Sequence, residues 1–414
     1  MTRPARIVVV GTGQGAFQLA ASLRDEGFIG AITLIGEEPG LPYQRPPLSK
    51  AYLDEGRDDR LLLRPESFYA RQDIALIPGE RVVEIDRGAQ RVVTRSGTRH
   101  TYDHLVLATG ARNARPPIAG AEAPGVLGLR SLADARALRA AMATAQSALV
   151  IGGGFIGLEF AAVARAAGRV VTVLEAGPRL MARAVSAAVS ARFLDLHLGM
   201  GTQIVLGAPV AAILTDGTGR AAGARLLDGT EHRADLVLLA TGVRPNTELA
   251  EAAGLSVANG ILTDVHLLTS DPAISALGDC AAVPQGDAAV PLRLESVQAA
   301  TDQARAIARR LTGNPAPYTA VPWFWSDQGT AKLQIAGLTA GATETERIYP
   351  EPDRTVVFCY RMGHLAGVET INAPGDHMAA RTLLALQPGI TRAELAERGH
   401  DIRAMAKAAK EARS

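Results

Sequence analysis

Cysteine is scarce: the 414 residues include two, Cys280 and Cys359, far apart, with no CxxC pair and no Cys/His cluster. That scarcity excludes a disulfide framework, a structural zinc and an iron–sulfur cluster held by this chain, and it fits a reducing, cytoplasmic compartment. Charge of one sign is lacking too. Against 43 Lys and Arg stand 42 Asp and Glu, so no global field draws the protein to nucleic acid or to anionic lipid, and any charged docking surface is local. No apolar run approaches the roughly 18 residues of a membrane-spanning helix; stretches such as 236–243 are short and strand-like. The first residues pass directly into the apolar run 7–10 and leave no room for an export signal, so none is expected. The eight scattered histidines suggest no metal site.

What is present is a chain that folds. Hydrophobic residues make up 47% and charged residues 21%, values of a globular protein, and the length suits two or three domains. Its clearest internal feature is a repeat. Ile7-Val8-Val9-Val10-Gly11 and Ala148-Leu149-Val150-Ile151-Gly152 each lead into an alanine-rich helical stretch, 16–24 and 156–167, and then into a second apolar strand, 32–35 and 170–174. Both read as the opening of a parallel βαβ sheet. A second repeat, Leu105-Val106-Leu107-Ala108-Thr109-Gly110 and Leu236-Val237-Leu238-Leu239-Ala240-Thr241-Gly242, follows Asp103 and Asp235 and looks like matching exits from the two units. Between opening and exit, alternating segments such as 81–86 and 91–93 suit an antiparallel meander. A further strand end at 274–279 precedes a helical stretch over 295–311, and from Pro322 short strands, an aromatic cluster and one closing helix over 392–412 mark a C-terminal domain.

Each opening carries a dinucleotide-binding fingerprint. In Gly11-x-Gly13-x-x-Ala16 the first glycine permits the tight turn, the second lets backbone approach a pyrophosphate, and Ala16 lets the helix pack on the strand, with the helix N-terminus facing phosphate. Glu37, at the end of the second strand, is placed to accept from a ribose hydroxyl. Gly152-x-Gly154-x-x-Gly157 repeats the frame and ends its second strand at Glu175, a carboxylate that would repel a 2′-phosphate. NADH is therefore expected over NADPH, with Arg179 and Arg183 close by as the opposing consideration.

The two fingerprints, the two Ala-Thr-Gly exits and Gly278-Asp279, in this order, resemble the FAD-dependent pyridine-nucleotide oxidoreductases of glutathione-reductase-like fold. Leu41-Pro42-Tyr43-Gln44-Arg45-Pro46-Pro47-Leu48-Ser49-Lys50 and Pro322-Trp323-Phe324-Trp325-Ser326-Asp327-Gln328 resemble the ferredoxin, rubredoxin and putidaredoxin reductase branch. The resemblance implies an α/β chain of two Rossmann-like domains, one for FAD over 1–112 and 243–321 and one for NAD over 113–242, followed by a C-terminal α+β domain over 322–414.

It also implies site residues. Gly11, Gly13, Ala16 and Glu37 would hold the ADP half of FAD; Arg45, Lys50, Val82, Thr109, Gly110, Arg130, Gly278 and Asp279 would line the rest of that cofactor; Val297, through its backbone, and Trp325 would touch the isoalloxazine. Gly152, Gly154, Gly157, Glu175 and Gly242 would hold NAD(H). Lys50 would stabilise the negative charge of reduced flavin, Glu295 would pair with Lys50, and Glu159 would face the nicotinamide. The implied activity is electron transfer from NADH through FAD to a [2Fe-2S] ferredoxin serving a P450 monooxygenase or a ring-hydroxylating dioxygenase, in a monomer or homodimer. A rubredoxin or monodehydroascorbate-type reductase is the neighbouring reading, and an NADH-sensing flavoprotein of the apoptosis-inducing-factor type the reading of another class. Arg305, Arg309 and Arg310 are candidates for a basic rim that docks the ferredoxin electrostatically. Disulfide reductase and cysteine-type NADH oxidase chemistry are disfavoured, since relatives of those kinds carry a Cys-x4-Cys pair or one redox cysteine near the start of the first helix region and this chain has none there; Cys280 reads as a small buried hydrophobe. The chain departs from the family in carrying Gly15-Ala16 where alanine then glycine is usual, and Gly329-Thr330-Ala331 where an aromatic and an acid are common.

Overall fold

The computed structural model of the protein describes residues 4–285, 290–351 and 353–413. The chain divides into two compact units, one of residues 4–44, 58–112 and 243–320 outside that gap, the other of 45–57, 113–242 and 321–413.

The first unit is built on a five-stranded parallel sheet. Strand β1 (Arg6–Val10), helix α1 (Gln14–Asp25) and β2 (Ala31–Gly36) form the first βαβ opening, and β3 (Ile74–Pro78) and β4 (His104–Leu107) extend it. All of β4 and residues 7–10 of β1 are buried, as the near-continuous apolar composition of a sheet covered on both faces requires. The segments Val82–Asp86, Arg91–Thr94 and Arg99–Thr101 make a separate antiparallel meander.

The second unit repeats the design after helix α2 (Leu132–Thr144): β5 (Ser147–Ile151), α3 (Phe155–Ala166), β6 (Val170–Glu175), α4 (Ala187–Gly199), β7 (Gln203–Leu206) and β8 (Leu236–Leu239). Its parallel order, β7-β6-β5-β8 with a short edge strand Val126–Leu127 beyond β8, has its own three-stranded meander over 210–233. The acids that precede the two exits play one role twice. An oxygen of Asp103 accepts from the backbone N–H of Ala5 and Arg6 at 2.9 and 2.8 Å, and an oxygen of Asp235 accepts from those of Gln146 and Ser147 at 2.9 Å each. Each carboxylate thereby fastens the start of the central strand to the start of its neighbour. Both are held below the ordinary carboxylate range, chiefly by the Arg6 side chain in one copy and the Ser147 hydroxyl in the other.

The chain then returns to the first sheet with β9 (Ile274–Ala276), which pairs with β4 to give the order β9-β4-β1-β2-β3, and with helix α5 (Val297–Leu311), which packs along α1. The C-terminal part of the second unit is a five-stranded antiparallel sheet of β10 (Trp323–Gln328), β11 (Ala331–Gly337), β12 (Glu344–Glu351), β13 (Arg354–Arg361) and β14 (His364–Ile371), covered by α6 (Pro374–Leu386). The single closing helix expected over 392–412 is two helices, Arg392–Glu397 and Ile402–Glu411. Gly399 and His400 turn left-handed between them, at φ +60° and +59°, and the Asp401 carboxylate then accepts from the Ala404 N–H to start a new helix. A glycine inside a charged helical pattern is the signal that marked this break.

Buried histidines make stability depend on acid. His104 in β4 bonds the Ser275 hydroxyl at 2.9 Å, and burial, then the nearby Arg310, pushes its pKa down to about 3. His377 in α6 is brought down to about 4 by burial first and Arg381 second. Because both pKa values fall on folding, the unfolded chain binds the proton first, and stability is lost as pH drops below about 6.5 toward 4. Each neutral histidine contributes up to roughly 1.4 kcal/mol per pH unit across that window. His104→Gln should therefore show a shallower fall of the thermal midpoint between pH 6.5 and 5 than the parent; parallel profiles would remove His104 from the acid response.

Candidate functional site

Each parallel sheet ends in a glycine turn whose geometry requires glycine. Gly11 has φ +124°, and a Cβ there would run into the carbonyl of Ala108 at the end of the exit strand. Gly152 repeats this at φ +112° against the carbonyl of Ala240. Two positions on, the requirement is reversed: Gly13 and Gly154, the N-caps of α1 and α3, have no atom within 4 Å of a would-be Cβ. Open backbone thus stands before two helix N-termini, each 12 residues of aligned dipole, which is the donor set that a pyrophosphate takes. The third position differs between the copies. Gly157 would collide with the carbonyl of Gly152 if it carried a Cβ, whereas Ala16 is accommodated fully buried, and in the first copy the tight contact moves to Gly15, which faces Leu277.

The first unit gathers Gly11, Gly13, Ala16, Glu37, Thr109, Gly110, Gly278, Asp279 and Val297 around the carboxyl ends of its strands, where open α/β sheets bind ligands. Glu37, just past β2, is exposed and paired with Arg81 at 3.2 Å. Two residues that the sequence did not single out hold this rim. Asn246 donates its side-chain N–H to the Thr109 carbonyl at 2.8 Å, while the Thr109 hydroxyl donates to the Asn246 carbonyl at 2.7 Å. Gln303, buried on α5, accepts from the Gly278 N–H at 2.7 Å and fixes the turn that bears Asp279. Val297 is the first residue of α5, behind a Ser296 cap, so its N–H points out of the helix start. Val82 is buried in the meander. Cys280 is fully buried and its thiol points to the Leu107 and Leu277 carbonyls; burial raises its pKa.

In the second unit, segment 45–57 lies with the second fingerprint. The short 3-10 helix Pro46–Ser49 packs on α3 and brings Lys50 to Glu159 at 2.9 Å. Glu159 is 3% exposed and Lys50 21%. The remaining capacity of the carboxylate is filled by hydroxyls: Ser49 donates to the same oxygen at 2.5 Å and Ser326 to the other at 2.6 Å. Such charge-assisted bonds are worth roughly 1.5–3 kcal/mol each, which is what allows a carboxylate to sit inside the protein. Arg45 and Arg130 are also adjacent, with the Arg45 guanidinium donating to the Arg130 carbonyl at 2.6 Å. Trp325 on β10 packs against Trp323 at 5.7 Å, and its neighbour Phe324 meets Phe155 of the fingerprint helix at 4.5 Å.

Three expectations change here. The carboxylate that meets Lys50 is Glu159, because the proline-fixed turn lays Lys50 on the second turn of α3; Glu295 is instead held by Arg293 at 2.6 Å. Glu175, expected to meet a ribose, has both oxygens engaged by backbone: they accept from the Gly153 and Gly177 N–H groups at 2.7 Å each, bracing the loop at both ends. Arg310 is no part of a basic rim, since it turns inward to donate to Ser275 at 2.6 Å, and burial lowers its pKa to about 10. Arg305, engaged by Asp302 at 3.3 Å, and Arg309 stay exposed. Arg179 is committed as well, its two terminal nitrogens donating to the carbonyls of Ala182 and Val185 at 2.7 and 2.8 Å. Among the described residues no group of three or more His, Cys, Asp or Glu side chains could hold a metal, and no helix is long and apolar enough to cross a membrane.

A family model described as pyridine nucleotide-disulphide oxidoreductase matches residues 5–304, and one described as reductase C-terminal matches 323–406. The chain belongs to the pyridine nucleotide-disulphide oxidoreductase family. It is an FAD-dependent oxidoreductase that uses a nicotinamide dinucleotide, and its two glycine cradles suit two such cofactors. It is 49% identical to rhodocoxin reductase of Rhodococcus erythropolis, with 96% of this chain and 93% of the relative aligned. Putidaredoxin reductase of Pseudomonas putida is 38% identical over 91% of both chains. Among solved structures, the ferredoxin reductase for the CYP199A2 system of Rhodopseudomonas palustris superposes with a TM-score of 0.93 at 46% identity, covering 97% of this chain and all of the other. The covalent putidaredoxin reductase–putidaredoxin complex gives 0.92 at 36% identity over 98% and 99%. The disulphide in the family's name has no counterpart here, because both cysteines of the chain are buried and free.

The bracing role of Glu175 can be separated from recognition. Glu175→Arg should weaken NADH relative to NADPH, measured by equilibrium titration of each coenzyme; an unchanged ratio would mean that Glu175 only braces the loop.

Proposed function

We propose that the chain is an NADH-dependent ferredoxin reductase of the cytoplasm, passing electrons to a [2Fe-2S] ferredoxin that serves a P450 or a ring-hydroxylating dioxygenase. The observation that carries this reading is likeness over almost the whole chain to reductases of such systems, including the rhodocoxin and putidaredoxin enzymes and the ferredoxin–NAD(+) reductase component of the p-cumate 2,3-dioxygenase system of Pseudomonas putida. Bound FAD supplies the chemistry that the side chains lack, taking two electrons together from the nicotinamide and releasing them one at a time.

The residues of the chain bind, orient and stabilise. In this reading 1–112 and 243–321 hold FAD through the Gly11–Gly13 turn and Glu37, and 113–242 hold NADH through the Gly152–Gly154 turn and Glu175. The commitment of Arg179 to backbone carbonyls supports NADH, since it removes a candidate partner for a 2′-phosphate. Lys50 is assigned to the charge that develops on reduction. Its ammonium has three donors; Glu159 takes one and the Pro46 carbonyl a second at 3.4 Å, which leaves a donor for an anionic ring. Trp325 supplies an aromatic wall. Neither Glu159 nor Glu295 need move a proton in this reading. The relative named rubredoxin-NAD(+) reductase, 38% identical over 89% of this chain, favours rubredoxin as the alternative acceptor.

Mixing with NADH in a stopped-flow instrument should bleach the flavin fast enough for turnover, and bleaching slower than turnover would favour a sensing role. Lys50→Ala should slow that reduction by roughly a hundredfold to a thousandfold, on the scale of losing one preorganised donor, while FAD stays bound; an unchanged rate would remove Lys50 from the mechanism. Docking through Arg305 and Arg309 would make ferredoxin reduction slow as salt rises, and a rate indifferent to salt would exclude an electrostatic encounter.

A further inference from the structure

Behind the Lys50–Glu159 pair the hydrogen bonds continue within the second unit. Ser326 donates to Glu159 at 2.6 Å, the Gln328 amide nitrogen lies 3.1 Å from the Ser326 hydroxyl, and the Gln328 amide oxygen lies 2.9 Å from Nε2 of His197 on α4. Glu159, Ser326, Gln328 and His197 are all buried, the last three with no exposed surface. In so closed a place each proton has few choices.

We infer that this is a one-way chain that starts at His197 and ends on Glu159, and that His197 and Gln328 are positioning residues for the Lys50–Glu159 pair. An ionised carboxylate can only accept, so Ser326 must give it a proton. The Ser326 oxygen is then left to accept, which turns the Gln328 NH2 toward it and the Gln328 carbonyl toward His197. His197 must therefore carry its proton on Nε2, with Nδ1 bare; Nδ1 has no partner among the described residues. Burial lowers the His197 pKa, in keeping with a neutral ring. The direction of the chain follows the charge of Glu159: a group at 159 that donated to Ser326 would reverse every link and move the ring proton to Nδ1. The carboxylate that holds the Lys50 ammonium is thus braced from behind by three side chains, Ser326, Gln328 and His197, of which only Ser326 touches it.

This inference rests on the role proposed for Lys50, but its primary test does not. In oxidised holoenzyme labelled with 15N-histidine, without NADH, the His197 signal, identified by its loss in His197→Gln, should report the Nε2–H tautomer. In Glu159→Gln, Lys50 and Ser49 demand the amide oxygen, so the amide N–H faces Ser326 and the tautomer should shift to Nδ1–H. An Nδ1–H ring in the parent, or a tautomer unmoved in Glu159→Gln, overturns the chain. In parallel, His197→Leu should slow flavin reduction about fivefold, on the scale of one hydrogen bond, with NADH affinity unchanged, and His197→Gln, which keeps a donor toward Gln328, should recover most of it. Equal rates in both variants would leave His197 a packing residue. An effect of Lys50→Ala on reduction is a separate result: its absence would sink the flavin role of Lys50 and leave the tautomer result standing.

Discussion

A carboxylate taken out of water must be met from every side, and this requirement at Glu159 organises the second unit. An unpaired buried charge costs several kcal/mol or shifts to its neutral form. Here a carboxylate on α3 draws its partners from two other stretches of chain: the proline-fixed turn gives Ser49 and Lys50, and β10 of the C-terminal sheet gives Ser326. Satisfying one side chain therefore ties the nucleotide-binding layer to the C-terminal layer within that unit. The same logic recurs at Glu369 on β14, buried in the C-terminal sheet, which accepts from the N–H and the hydroxyl of Ser186 at the start of α4. Buried polar groups of this kind specify a unique arrangement, because any slip leaves an orphan.

The two nucleotide frameworks show how far a repeat can drift while its physics stays fixed. Both copies keep a positive-φ glycine against an exit-strand carbonyl, an open second glycine and an aspartate fastening the strand starts. They differ where neighbours differ. The third small residue is pressed against backbone in one copy and against Leu277 in the other, and the acid after the second strand is exposed in one and braces its own loop in the other. Such differences are where one framework can be fitted to a flavin dinucleotide and the other to a nicotinamide dinucleotide.

Much of this was legible from the residues. Strand, glycine turn and helix were visible in both copies because apolar runs and glycine spacing are local properties, and the exits with their aspartates were visible as a repeat. The motif around Lys50 singled out that lysine but not the carboxylate it meets, since the pairing of a lysine on a turn with a carboxylate far along the chain depends on packing, which no spacing encodes. Asn246, Gln303 and His197 were missed for the same reason: an amide or imidazole with no motif announces itself only through its hydrogen bonds. The closing helix was read as one because its charged periodicity continues past Gly399, whereas two left-handed residues interrupt it. Arg310 looked like surface because arginine usually is, and its position on α5 turns it in.

The cysteines that first attracted notice by their rarity have a practical consequence. Both are sealed from solvent, with thiols whose ionisation burial opposes, and reagents that modify sulfur attack the exposed thiolate. The natural chain is thus already a blank background for site-directed labelling: one cysteine placed on an exposed position of α5 would carry a spin label or fluorophore alone, with no native residue to remove first.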